Sequence, residues 1–198
     1  MEKNNKLSKV FWILTLTLCI LCIAGISVGF YLYKQETNKE IVKDEIGGDV
    51  YLKFVGNTNG LTLLNASPMT DQLGALQDGD NKYFDFSVEV DLEEAKYVEY
   101  EIAIEKDKVF SNIPDEEVKF YLEEEISGSF SKVFGPSEFK PLEVDSKLGT
   151  EEGNMVLYTV KKDSSGTSNY RLRMWMSEDS KMLVGNYSVE VLINGKAN

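Results

Sequence analysis

The chain contains no histidine, and its two cysteines, Cys19 and Cys22, both lie within one apolar run near the N-terminus. Histidine is the commonest general base and a frequent zinc ligand, so its absence excludes His-dependent catalytic triads and His-ligated zinc. The chain after the run has no thiol, which excludes disulfides and thiol catalysis there. Because secreted eukaryotic domains often carry disulfides, this pattern favours a bacterial surface protein.

Positive charge is also scarce, with 21 Lys and Arg against 33 Asp and Glu and a formal net charge of −12. A chain this acidic repels the phosphate backbone, so the composition predicts no nucleic-acid partner. The same charge attracts cations and basic partners, although its more ordinary role is to keep a surface solvated.

The apolar run extends from Val10 to Tyr33 and contains no charged residue. As a helix it is about 36 Å long at about 1.5 Å per residue, enough to cross a hydrocarbon core of about 30 Å. It exceeds the apolar region of about 7–15 residues found in cleaved signal peptides, and no small residue precedes either cysteine as a lipoprotein site requires. The sequence therefore predicts an uncleaved signal anchor that enters the lipid bilayer through residues 10–33.

This anchor predicts a single-pass protein of the cell membrane. Residues 1–9 are expected in the cytoplasm and residues 50–198 outside the cell, because a polar domain that follows a first hydrophobic span is usually exported. Residues 34–49 carry mixed charges at helical spacing and end near Gly47 and Gly48. They predict a short helical stalk, with a disordered linker as the alternative.

From Val50 onward the hydrophobic period is two, which is typical of strands with one buried face. Alternating apolar residues predict inward faces at 84–90, 98–104 and 187–193. Residues 115–125 fit both helical and strand spacing, and the neighbouring strands favour a strand, whereas residues 66–81 and 126–153 are expected to be irregular. About eight strands without a globular helix predict an all-β fold, an antiparallel β-sandwich or jelly roll.

Acidic residues near the long loop form a candidate metal site. Asp78, Asp80 and Asp85 are the predicted ligands, and Ca²⁺ is the cofactor that their oxygen atoms suit. The spacing differs from that of an EF-hand. The alternative is a solvated turn that uses Asp and Gly for their backbone preferences.

A second candidate set alternates along one predicted strand. Arg171 and Arg173 are the only arginines of the chain, and Trp175 continues the same face. Arg and Trp are favoured at interface centres, so these residues are the predicted partner-binding set. The alternative, which the sequence favours, is cross-strand pairing with the many acidic side chains and cation–π contact with an aromatic ring.

The acidic residues 116–117 and 123–125 offer paired carboxylates of the kind that glycoside hydrolases use. Nothing in the sequence indicates that they share a cleft, and a run of charge is usually a solvated face. No catalytic residue is predicted, and a carboxylate-based hydrolase is the least favoured function.

Part of the chain has a familiar pattern. The segment LTLLNASPMTDQLGALQDGDNKYFDFSVEV, followed by YVEYEIAIE, resembles Gram-positive surface proteins of the TasA and camelysin kind. The resemblance implies a jelly-roll-like sandwich exported to the cell surface and able to associate with copies of itself. Relatives of that kind are released by a signal peptidase, whereas this chain is expected to keep its anchor. Camelysin-like proteins have been classed with metalloproteases, but this chain has no HExxH motif and no histidine. The resemblance therefore implies no catalytic residue here.

Three functions remain open at this point. The favoured one is a membrane-anchored surface protein with a binding or structural ectodomain, used in adhesion, envelope organisation or as an accessory subunit of a membrane complex. Its partner would be an unidentified protein or envelope component. The first alternative is a self-assembling matrix subunit, cleaved near residues 25–30 and released. The second is the hydrolase.

Overall fold

A computed structural model describes residues 41–43, 50–55, 60–79, 82–92 and 95–197 of the chain. More than half of these residues lie in antiparallel strands, which are β1 (Ile41–Lys43), β2 (Val50–Val55), β3 (Gly60–Ala66), β4 (Tyr83–Leu92), β5 (Val98–Lys106), β6 (Val118–Ile126), β7 (Ser129–Glu138), β8 (Met155–Lys162), β9 (Gly166–Met176) and β10 (Gly185–Ala197). One short helix, α1 (Asp71–Ala75), and one 3₁₀ turn, Asp115–Glu117, complete the described elements.

The strands form two sheets. The six-stranded sheet has the order β1-β2-β4-β9-β6-β7, and the four-stranded sheet has the order β3-β10-β5-β8. Every neighbouring pair is antiparallel. One face of each sheet supplies the same hydrophobic core, so the domain is a β-sandwich, as the strand pattern predicted.

The core follows from the alternation of the strands. The predicted inward positions of β4, β5 and β10 are all buried, namely Phe84, Phe86, Val88, Val90, Val98, Tyr100, Ile102, Ile104, Tyr187, Val189, Val191 and Ile193. Polar contacts also join the sheets. The hydroxyl groups of Tyr100 on β5 and Tyr170 on β9 are 2.7 Å apart in the interior, where each satisfies the other.

Two elements fall in segments that the sequence left irregular. Strand β7 lies within 126–153 and pairs with β6 along an edge of the larger sheet, where Gly135 and Pro136 are tolerated. Helix α1 lies within 66–81 and begins after Thr70, whose hydroxyl accepts a hydrogen bond from the Leu73 amide at 3.3 Å. The number of described strands is therefore ten rather than about eight, and one short helix is present.

The ambiguous residues 115–125 resolve into a 3₁₀ turn and then strand β6, so the strand interpretation is confirmed. Residues 41–43 are also a strand, which differs from the predicted helical stalk at those positions. The run 10–33 and the rest of the stalk lie outside the described residues. Within the described residues, no helix combines the length and apolar character needed to cross a membrane.

Candidate functional site

The arginines and Trp175 lie on the outward face of β9, since the alternate residues of this strand, such as Leu172 and Met174, fill the core. Strand β9 is flanked by β4 and β6, so each outward side chain has a neighbour on both sides. The register places Asp85 beside Arg171 on one side and Glu123 beside Arg171 on the other. The three outward residues Arg171, Arg173 and Trp175 are called here the strip, and acidic residues of the neighbouring strands therefore lie beside it.

Arg171 forms a bidentate ion pair with Asp85. Its Nε and one terminal nitrogen donate to the two carboxylate oxygens, each at 2.7 Å. The guanidinium also lies over two rings, 3.8 Å from the centroid of Tyr83 and 4.2 Å from that of Phe130. The hydrogen bonds that Arg171 donates to Asp85 raise the pKa of the Arg171 guanidinium above its ordinary value, so it keeps its charge.

Arg173 is more enclosed than Arg171. Its Nε donates to Glu123 at 3.0 Å, and the two side chains are 9% and 13% exposed. A terminal nitrogen of Arg173 donates to the carbonyl oxygen of Gln77, in the chain that follows α1. The hydrogen bond from Arg173 to Gln77 therefore holds the loop between β3 and β4 against the larger sheet.

Trp175 is fully buried although it faces away from the core. Helix α1 covers it, because Gly74 packs against the indole ring and the indole nitrogen donates to Asp71 at 3.2 Å. The structure thus engages all three residues of the strip in contacts within the domain. Arg171, with an 18% exposed side chain, keeps the most access to a partner, and a partner-binding role of this set stays a prediction.

The predicted metal ligands have different surroundings. Both oxygens of Asp85 contact Arg171, a geometry that favours an ion pair over a cation. Asp78 accepts a hydrogen bond from the Gly79 amide at 2.9 Å, as in a turn, and Asp80 lies outside the described residues. Among the residues that the structure describes, no group of three acidic side chains converges as a metal site. Calcium binding by this set stays a prediction.

A groove lies along β3 and is lined by residues that the structure describes. Its volume is about 880 Å³, within the range of about 300–1,000 Å³ typical of ligand sites. Residues Phe84, Trp175 and Met176 of the larger sheet line its inner side, and the exposed Lys82 and Glu190 lie on its rim. The groove exists because β3 forms an edge of the smaller sheet while its following loop turns away over β9.

Sequence reasoning missed this groove. The available signal was the pair Leu63 and Leu64 in a short strand, because consecutive residues of a strand face opposite sides and one leucine must point outward. Leu64 is 66% exposed and lines the groove. That signal does not reveal which other strands form the walls, since Phe84 and Trp175 are distant in sequence.

Comparisons with known proteins leave the chain without an assigned family. No protein-family model matches it, and no curated protein matches it. Among solved structures it is similar to AvmM, which catalyses macrocyclization in alchivemycin A biosynthesis, at 9% identity and a TM-score of 0.33, over 81% of this chain and 97% of that one. A β-glucosidase from Kluyveromyces marxianus in complex with glucose matches at 11% identity and a TM-score of 0.19, over 79% of this chain and 18% of the enzyme. Similarity at these scores carries no functional argument.

Proposed function

We propose that this chain is a single-pass, membrane-anchored bacterial surface protein whose extracellular β-sandwich binds a protein of the cell envelope. The anchor is the uncharged run from Val10 to Tyr33, whose length suits a bilayer crossing. The groove along β3 is the observation that carries the binding role, because its volume of about 880 Å³ and its position beside an edge strand suit a segment of another chain.

The occupant of the groove is an extended segment of a partner protein. Strand β3 pairs with β10 as its one neighbour among the described strands, and an edge strand offers backbone donors and acceptors to an added strand. The inner side of the groove accommodates alternate side chains of such a segment. Lys82 and Glu190 on the rim supply polar contacts that select between sequences.

The state of the carboxylates supports a non-catalytic role. Glu123 and Glu125 face outward from β6, where they pair with Arg173 and Asn169 at 3.0 and 2.8 Å. Glu124 lies on the opposite face, 3.4 Å from the Tyr170 hydroxyl. Glu124 therefore cannot act with either neighbour on one glycosidic bond, and the two acids that share a face are each engaged by a side chain of β9.

The carboxylate of Glu117 is also engaged within the domain. It accepts hydrogen bonds from the Ser180 hydroxyl and from the backbone amide of Lys181. The bond from Ser180 lowers the pKa of Glu117 below its ordinary value, which suits a structural carboxylate and not a general acid. The hydrolase alternative therefore receives no support from these side chains.

A photo-crosslinking residue placed at Leu64 in the full chain tests the binding role in intact cells. Leu64 is exposed in the groove, whereas Thr159 is exposed on β8, at the opposite edge of the same sheet. We expect one envelope protein to be crosslinked from position 64 and not from position 159. Equal crosslinking at both positions, or none at either, would contradict the proposal. Crosslinks between copies of this chain would instead support the self-assembling alternative.

A further inference from the structure

Exposed apolar side chains are concentrated at one end of the sandwich. This end, where β4 begins and β9 ends, is called here the loop end. Nine large apolar side chains are exposed among the described residues. Seven of the nine lie at the loop end, namely Leu64, Leu73, Leu76, Val109, Phe110, Leu183 and Val184. Scattered exposed apolar residues are normal, but a cluster at one end marks an interaction site.

Two of the loops at this end carry exposed apolar residues. The loop between β5 and β6 carries Val109 and Phe110, with exposed fractions of 99% and 38%, and the loop between β9 and β10 carries Leu183 and Val184, at 84% and 50%. The charged residues between β5 and β6 are Asp107, Lys108, Asp115, Glu116 and Glu117, and those between β9 and β10 are Glu178, Asp179 and Lys181. Together the two loops carry six acidic residues and two lysines, so they are acidic like the chain as a whole, and their apolar tips are what could favour a lipid surface.

The first loop is held in place by hydrogen bonds. The Asp107 carboxylate accepts from the amides of Val109 and Phe110 at 2.9 and 3.0 Å. Further along, the Asn112 amide donates to the carbonyl oxygen of Asn186 at 2.9 Å, and the Asn186 amide donates to the Asn112 side chain at 2.7 Å. The loop is thereby hydrogen-bonded to the start of β10 with its apolar tip exposed.

The direction of β1 relates this end to the membrane anchor. Through β2, Ile41 is in register with Val88 and Lys43 with Val90. Because β4 begins at Tyr83, Ile41 lies nearer to the loop end than Lys43 does. The chain therefore enters the sandwich from the side of the loop end.

The chain between the apolar run and β1 is short. From Tyr33 to Ile41 it spans at most about 28 Å when fully extended. The distance along the strand direction from Ile41 to the start of β4 is about 17 Å, at about 3.3 Å per residue. This tether is long enough for the loop end to reach the bilayer and too short to carry the domain far from it.

We propose that the loop end rests on the lipid surface, with the tips at Val109, Phe110, Leu183 and Val184 inserted among the headgroups of the outer leaflet. This inference rests on the anchor in the proposed function. Apolar loop tips gain free energy by leaving water at the interface, and a zwitterionic lipid surface does not repel the acidic residues of the two loops. The domain would then stand upright, with the edges of its sheets, including the β3 groove, facing sideways along the membrane.

A fluorescent label that reports its environment tests this placement in the full chain in phosphatidylcholine nanodiscs. Cys19 and Cys22 are first replaced by serine, and a single cysteine is then placed at Val109, Leu183 or Ser164 to carry the label. Ser164 is the control position, because it is exposed in the loop between β8 and β9 at the opposite end of the sandwich. Lipids with a doxyl quencher should quench the label at 109 and 183 at least about threefold more strongly than at 164. With Phe110→Glu added, quenching at 183 should fall.

The outcomes separate the inference from the proposed function. A chain that fails to enter nanodiscs overturns the anchor and, with it, this inference. A chain that enters them while the labels at 109 and 183 are quenched as weakly as at 164 overturns the inference alone. Labels at 109 and 183 that are shielded from aqueous iodide but not quenched by doxyl lipid would indicate a protein partner, such as a second copy, and would also overturn it.

Discussion

Individual side chains of this domain are matched across strands that are far apart in sequence. Arg171 joins β9 to β4 through Asp85, and Arg173 joins β9 to β6 through Glu123. The two pairs differ in burial, so their contributions should differ. Exposed ion pairs usually contribute about 0–1 kcal/mol, whereas loss of one partner from a buried pair costs about 3–5 kcal/mol.

The buried tyrosines predict how stability depends on pH. Burial raises the pKa of Tyr100, Tyr170 and Tyr187 above the usual value of 10.0. Below that value, folded and unfolded chains both keep these protons, so stability is unaffected. Above it the unfolded chain releases them while the folded chain retains them, so each phenol should remove about 1.4 kcal/mol of stability per pH unit.

Urea unfolding of the full chain in detergent, followed by tryptophan fluorescence from pH 7 to 11, measures this loss. The free energy of unfolding should begin to fall near pH 10, and Tyr170→Phe should make that fall less steep. The absorbance of phenolate at 295 nm in the folded chain provides the control. If the buried phenols ionised near pH 10 without any loss of structure, the account of their burial would be wrong.

At the scale of the element, helix α1 acts as a cover for the outward face of β9. Five residues are too few for a stable isolated helix, so its stability must come from docking. Gly74 permits the close approach, because a Cβ at this position would overlap the indole ring of Trp175. The segment is thus a packed part of the domain despite its composition of turn-forming residues.

Gly74→Ala should lift α1 from the sheet. Overpacking of this kind typically costs about 1–3 kcal/mol, and the emission of Trp175 should shift to longer wavelength as water reaches the ring. The exposed neighbour Gln72 supplies the matched control, since Gln72→Ala changes a side chain directed away from the contact. Equal stability and identical emission for both variants would contradict the covering role of α1.

The sequence predicted those strands whose two faces differ. In β4, β5 and β10, apolar and polar residues alternate cleanly, so the inward face could be assigned residue by residue. Strand β7 escaped prediction because its sequence, SFSKVFGPSE, lies at a sheet edge and has no fully buried face. Helix α1 escaped because its signal is tertiary: one glycine fits against one tryptophan about a hundred residues later in the chain.

The candidate sites show the same division. The sequence indicated that the arginines would pair with acids, but not that Asp85 and Glu123 were the partners, because that choice depends on the register of β4, β9 and β6. The groove required knowledge of which strand forms the sheet edge. Neither property can be obtained from local periodicity, since both arise when distant strands come together.

At the scale of the whole molecule, the proposed function joins an apolar run to an acidic sandwich. In that proposal the run anchors the protein in the membrane, and the β3 groove is the surface for a partner. The loop end, if it rests on the bilayer, would fix the height and direction of that groove. Retention of the run separates this arrangement from a released matrix subunit, because release would leave the domain without the anchor.

The mass of the mature protein in its native cells tests the central claim most directly. The account predicts that the membrane fraction, after an alkaline wash that removes peripheral proteins, contains a chain that still includes residues 10–33. It also predicts that a protease added outside intact cells removes the domain from that chain. Recovery of a mature chain from the medium that begins between residues 25 and 30 would contradict the account and favour the matrix subunit.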